Sequence, residues 1–304
     1  MIPELPQPIL GIFLASVAAI MWAIQYLCVR VGTDDGDVLS AVIVTILVNL
    51  ALLAPAVLVV YPRPYSGLFT PLSIVAFAAA GLAGTLLARL LMYKSIETIG
   101  ASRTSPVIAA NVFFATILAV VFLGESLTVV HVAGIVLIVG GVAVISWDTA
   151  SSEPDQSLRE LGLSLLLPVV AAAAIGVEPI FVSVGLEEGT PAIPGVLAMT
   201  AAGGIGFLGY LLWRRQPVRL SVRSPSTAWY VAAGVSSAIG LVTYFAALEV
   251  APVVIVVPLL QTTPLLVVVL SALFLPQRLE RVTSFTVVAA LVVVVGAILV
   301  SVSG

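Results

Sequence analysis

A carboxylate at position 178 stands inside an apolar stretch, in Ile175-Gly-Val-Glu-Pro179. If that stretch crosses a bilayer, an ionisable side chain there is costly and marks a functional position by default. Such a carboxylate can take a cation, a proton or a substrate amine. Pro179 removes a backbone donor and is expected to disturb the helix at that point. The structural alternative is a Glu paired with a neighbouring Arg to hold a bundle together.

Arg89 is the second charged candidate, in Leu86-Leu-Ala-Arg-Leu-Leu-Met-Tyr93. Its fork binds both oxygens of a carboxylate. Tyr93 lies four residues on and shares its helical face. Arg89 is also near enough to the end of its run to snorkel to the interface. Gly81, Gly84 and Ala88 before it read as a small-residue packing face.

Neutral polar groups complete the set. Trp22 and Gln25 are one turn apart and can share a face. Thr104 and Asn111 are seven apart and share another. Gln261-Thr-Thr-Pro264 lies between Pro258 and Pro264, and two prolines six apart should kink a helix and free carbonyls. Tyr244 is a further candidate. For each of these the alternative is interhelical glue, worth about 1 kcal/mol per hydrogen bond. His131 and Asn49 are read as packing residues.

The elements that must position these groups follow from composition. Of 304 residues, 61% are apolar and 9% charged, with mean hydropathy +1.23. Soluble domains carry about 25% charged residues, so the bilayer must supply the missing apolar solvent. Apolar runs fall at 9–30, 38–60, 71–93, 103–123, 128–147, 161–184, 192–213, 227–248, 253–275 and 283–302. Each suits a helix of about 20 residues that spans the hydrocarbon core. The runs do not alternate as barrel strands do. The expected fold is an all-α integral membrane protein of ten transmembrane helices, with the first run read as a span rather than a signal peptide.

The same composition narrows the chemistry. There is no basic patch for nucleic acid. One cysteine (Cys28) and one histidine (His131) exclude a disulfide framework and a His/Cys metal cluster. No catalytic set, cofactor site or metal site is assigned. No phosphate-cradling Gly-Lys loop is present, so no ATP motor lies on the chain. An intramembrane enzyme would need a nucleophile, base or metal set that these residues hardly supply. A membrane scaffold or sensor would need a readout domain.

The chain also repeats itself. A polar stretch at 148–160 divides a first repeat, 1–147, from a second, 161–304. A shift of 152 positions sets Glu97 on Glu249 and Pro106 on Pro258, and nearby shifts set Gln25 on Glu178 and Gly141 on Gly296. Five spans per repeat make the second enter the membrane from the opposite side. Inverted repeats are a recurring transporter architecture, with the substrate site near the midplane.

The stretch Tyr93–Pro106, with Gly124-Glu125, Gly134 and Gly140-Gly141 beyond it, resembles the drug/metabolite transporter superfamily, and the EamA family most. Trp22 fits as well. Pro258 is kept in the second half, while Pro276-Gln277 stands where Gly-Glu is expected. The resemblance implies a ten-helix transporter with a central cavity between the repeats; with no ATP motor on the chain, a secondary transporter of the cell membrane is expected. That cavity would be lined by the first, third, fourth, sixth, eighth and ninth spans. The family handles amino acids, other metabolites and drugs, often as exporters. The candidate cavity set is therefore Glu178, Gln25, Trp22, Arg89, Tyr93, Asn111, Tyr244 and Gln261. The expected partners are a small-molecule substrate, protons or ions for coupling, and membrane lipid. Loop arginines place both termini outside, whereas the resemblance implies both in the cytoplasm.

Overall fold

A computed structural model describes residues 7–99, 107–108, 110–150, 166–215, 224–274 and 284–302. All regular structure among them is helical. Six helices are long and apolar enough to cross a membrane: Ile9–Asp34, Leu39–Val60, Pro71–Met92, Leu166–Glu187, Ala192–Arg214 and Pro225–Val250. Shorter apolar helices lie at Asn111–Leu123, Val129–Val144, Val253–Val267 and Leu291–Val300. The six long helices fall in the first three expected runs of each half, and the other apolar helices fall in the remaining runs.

We label α1 (Gln7–Asp35), α2 (Val38–Val60), α3 (Pro71–Ala80), α4 (Arg89–Ile99), α5 (Asn111–Leu118), α6 (Val129–Ala150) and α7 (Leu166–Glu187). The rest are α8 (Ala192–Arg214), α9 (Pro225–Val250), α10 (Val253–Leu260), α11 (Thr263–Phe274) and α12 (Ser284–Val302). A π-helical segment, Gly81–Ala88, joins α3 to α4, and another, Ala119–Leu123, ends the fourth span after α5. Helix α6 runs three residues into the expected polar linker; residues 151–160 of that linker lie outside the described set.

The chain forms two compact units, and neither is a sequence half. The first holds Met1–Leu82 and Phe181–Ala251, the second Ala83–Ile180 and Pro252–Gly304. In the first unit α1 lies along α9. Gly11, near the start of α1, meets Ala251 and Val250 just at the end of α9, while Gly32 meets Tyr230 and Trp229 near its start. The two helices are therefore antiparallel. The Tyr230 hydroxyl reaches the carbonyls of Gly32 and Asp37 at 3.0 and 3.1 Å. Phe77 of α3 is fully buried, pressed between Gly185 and Gly195 and stacked on Phe245 at 5.8 Å. Asn49 donates to Ser237 at 3.3 Å, the bond expected of a glue residue.

Opposed helix directions recur at corresponding repeat positions. Thr70 and Ser73, at the start of α3, bond Glu188 and Thr190 just before α8. The start of α8 is in turn held by Glu249 at the end of α9, which accepts from the Ala192 N–H. The third and eighth spans therefore run oppositely. In the second unit Gly134 of α6 meets Gly296 and Val300 of α12, and Gly141 meets Ala289 and Val293. Helices α6 and α12 are thus antiparallel too. Lipid tails are as apolar as leucine, so close small-residue contact, rather than water exclusion, selects these partners.

Candidate functional site

The candidate residues fall into three local groups. One lies in the first unit. Trp22 of α1 stands 5.5 Å from the Tyr244 ring of α9, tilted by 57°. Gly240, one turn before Tyr244, makes room: a Cβ there would stand 2.7 and 2.8 Å from Trp22 indole atoms. Tyr244 is buried and meets Phe245 edge-on at 5.7 Å, which carries the aromatic contact on to Phe77. Gln25 is half-buried three residues beyond Trp22.

The second group is ionic and lies in the second unit. The Glu178 carboxylate of α7 rests against Gly84, where an added Cβ would collide with it. Gly84 belongs to the π-helical segment, and the Arg89 charge at the start of α4 acts on Glu178. Helix α7 continues through Pro179 without a break. The backbone irregularity expected at Pro179 thus occurs on the facing helix. π-Bulges mark functional positions often. Here the wider turn and the missing side chain at 84 open a seat for a carboxylate. Gly81 does serve packing, against the backbone of Met199 and Gly203 in the first unit. The side chain of Tyr93 lies outside the described set.

The third group is neutral and also lies in the second unit. The Gln261 amide donates to Asn111 Oδ1 at 3.3 Å, and Asn111 Nδ2 donates to the Ile108 carbonyl at 2.8 Å. Both residues mark helix interruptions. Helix α5 begins at Asn111 after a turn at Ala110, and α10 ends at Leu260 with a turn at Gln261 and Thr262 before α11. The break falls between the two prolines, as their spacing predicts. The Thr262 and Thr263 hydroxyls donate to the freed carbonyls of Leu259 and Leu260, each at 2.7 Å. Thr104 lies outside the described residues.

Helix α7 separates the ionic and amide groups. Gly176 packs on the Asn111 carbonyl and the Ala115 nitrogen, 2.8 and 2.9 Å from its would-be Cβ. Glu178 is two residues on, roughly 200° around the helix at 3.6 residues per turn. On the α7 face between them runs an apolar groove of about 450 Å³, bordered by Ala83, Leu87, Phe114, Ile117 and Val177. Among the described residues no group of three His, Cys, Asp or Glu could hold a metal ion.

Sequence reasoning missed Glu125. Its two oxygens accept the backbone N–H groups of Val253 and Val254 at 2.7 and 2.8 Å. The available signal was Gly124-Glu125 at the end of an apolar run, followed a half-chain later by Pro252 with no side-chain acceptor to cap α10.

A solved crystal structure resembles this chain over 96% of each, with a TM-score of 0.78 and 16% sequence identity, which shows a shared fold. No curated protein matches it. The profile of the EamA-like transporter family matches residues 9–147 and 162–302. With two profile matches covering both halves of a multi-pass helical membrane chain, this protein belongs to the EamA-like transporter family.

Proposed function

We propose that this protein is a ten-helix secondary transporter that exports a small metabolite, an amino acid or a related solute or drug, across the plasma membrane. The observation that carries this reading is the Glu178 carboxylate, seated against Gly84 in a π-helical turn with the Arg89 charge acting on it. A carboxylate within a membrane helix needs a counter-charge or a proton. Arg89 supplies the first when no solute is bound. A proton or a solute amine can take its place at Glu178, and Arg89 is then available to a solute carboxylate. Exchange of partners at one carboxylate couples solute movement to a proton without any phosphate-driven motor. Trp22, Gln25, Tyr244, Asn111 and Gln261 are proposed as neutral contacts along the solute path. Six membrane-length apolar helices, with further apolar helices in the remaining expected runs, support ten crossings.

The test is pH-driven uptake or efflux in reconstituted vesicles. Glu178→Gln keeps shape and hydrogen bonding but not charge, and pH-driven transport is expected to vanish. Wild-type rates in that variant would overturn the role of Glu178.

A further inference from the structure

We propose that Glu125 is a positioning residue: it pins the half-helix α10 to the fourth span and so fixes where Gln261 stands. The inference rests on the proposed role of Gln261, but its geometry stands apart from any solute.

The fourth span ends in a π turn, Ala119–Leu123, closed by Gly124 in the left-handed region at φ 67°. An L side chain is strained there, so glycine is the natural residue. The Gly124 and Glu125 N–H groups both fold back on the Ala119 carbonyl, Glu125 at 3.3 Å. This reversal points Glu125 at the start of α10.

That start has free donors. The first N–H groups of a helix lack intrahelical partners. Pro252, at the cap position, makes no side-chain bond to them. Val253 and Val254 are almost fully buried, at 1% and 2% exposure, so water is a poor substitute. The Glu125 carboxylate takes both N–H groups, one on each oxygen. Charge-assisted bonds of this kind are the strong class, and a negative charge suits the positive end of the helix dipole.

Helix α10 has eight residues, about 12 Å of length at 1.5 Å per residue. It is irregular before Val253 and turns after Leu260. So short a helix is marginal by itself in water. All eight of its residues are buried, against α5, α6 and α12, and two polar clasps to one span fix its position along that packed face, Glu125 at its first residues and Asn111 to Gln261 just past its last. Apolar packing carries no fixed register, so releasing the first clasp lets the buried two-turn helix shift along its packed face, and Gln261 moves with its far end.

The test reads the position of Gln261 directly. On a Cys28→Ser background, Asn111→Cys with Gln261→Cys is bridged by a short bis-methanethiosulfonate reagent. Asn49→Cys with Ser237→Cys, a side-chain pair 3.3 Å apart between α2 and α9 in the first unit, is the control. Glu125→Ala is expected to slow bridging of the first pair about tenfold, equivalent to about 1.4 kcal/mol, and leave the control pair unchanged. Glu125→Gln, which keeps one acceptor oxygen but sets an NH2 donor against the second N–H, should recover only part of the rate. Equal rates in all three backgrounds would overturn the inference, and so would a parallel loss at the control pair, which marks general destabilisation. Bridging needs no transport. A Glu125 dependence with silent Glu178 and Gln261 transport variants would therefore uphold the positioning and refute the functional reading.

Discussion

Gly84→Ala separates a seat for a carboxylate from ordinary helix packing. The new Cβ would overlap a Glu178 carboxylate oxygen and stand 2.6 Å from its Cδ and 3.1 Å from its Cγ. Normal contact begins near 3.4 Å, so clearing the overlapped oxygen moves the carboxylate by about 1.5 Å, within the reach of a side-chain torsion. Because the neighbour is the far end of a flexible side chain, the fold should lose only about 1 kcal/mol, the cost of an off-rotamer torsion. Function should lose far more, since misplacing a reacting group by about 1 Å can cost on the order of 100-fold. Gly81→Ala is the contrast: its Cβ meets the Met199 carbonyl and, at 2.9 Å, the Gly203 nitrogen, both backbone atoms that cannot swing aside. The assay pairs thermal unfolding in detergent with pH-driven flux in proteoliposomes carrying an entrapped pH dye. Gly84→Ala should unfold near wild type yet transport as poorly as Glu178→Gln, and Glu178→Ala added to Gly84→Ala should restore the lost stability. Wild-type flux in Gly84→Ala refutes the seat. A large stability loss that Glu178→Ala does not relieve refutes it equally.

Two further predictions concern the frame. Phe77→Ala should cost about 3 kcal/mol, the lower end for a buried Phe, because lipid weakens the transfer component and the cavity between Gly185, Gly195 and Phe245 remains; an unchanged thermal midpoint would contradict this core. Asp37 caps α2, accepting the Ser40 N–H at 2.8 Å and the Ser40 hydroxyl at 2.7 Å. Asp37→Ala should cost about 1 kcal/mol at neutral pH. Partial burial raises the Asp37 carboxyl, but the Ser40 bonds and the Leu39 N–H outweigh it and hold it below the usual carboxylate range. A depressed folded-state value means this cap contributes fully above about pH 4, the ordinary Asp value. Its contribution is then lost as pH falls through the lower folded value. Wild type and Asp37→Ala should therefore converge in thermal midpoint as pH drops below about 4. A gap that stays constant down to pH 2 would count against the cap.

The sequence by itself determined the solvent and the class. Nine per cent charge with long apolar runs leaves the bilayer as the only medium in which the chain can bury its surface, and Pro106, Gly124 and Glu125 carried the family likeness. It also marked Glu178 as costly and foresaw a break between Pro258 and Pro264, because a lost donor acts locally on its own helix. Tertiary structure decided what those residues meet. Pro179 leaves α7 continuous, and the irregular turn lies across from it at Gly84, a residue that sequence shows only as small. A π turn depends on partners that no local propensity encodes. Gln25 and Glu178, matched by the repeat, fall in different compact units, since opposed helices pack by surface fit rather than by chain order. Glu125 and Val253 stand 128 positions apart. Their contact exists only because α5 and α10 lie antiparallel and bring a carboxylate to a helix start whose cap residue offers no acceptor, and backbone N–H groups leave no trace in a sequence.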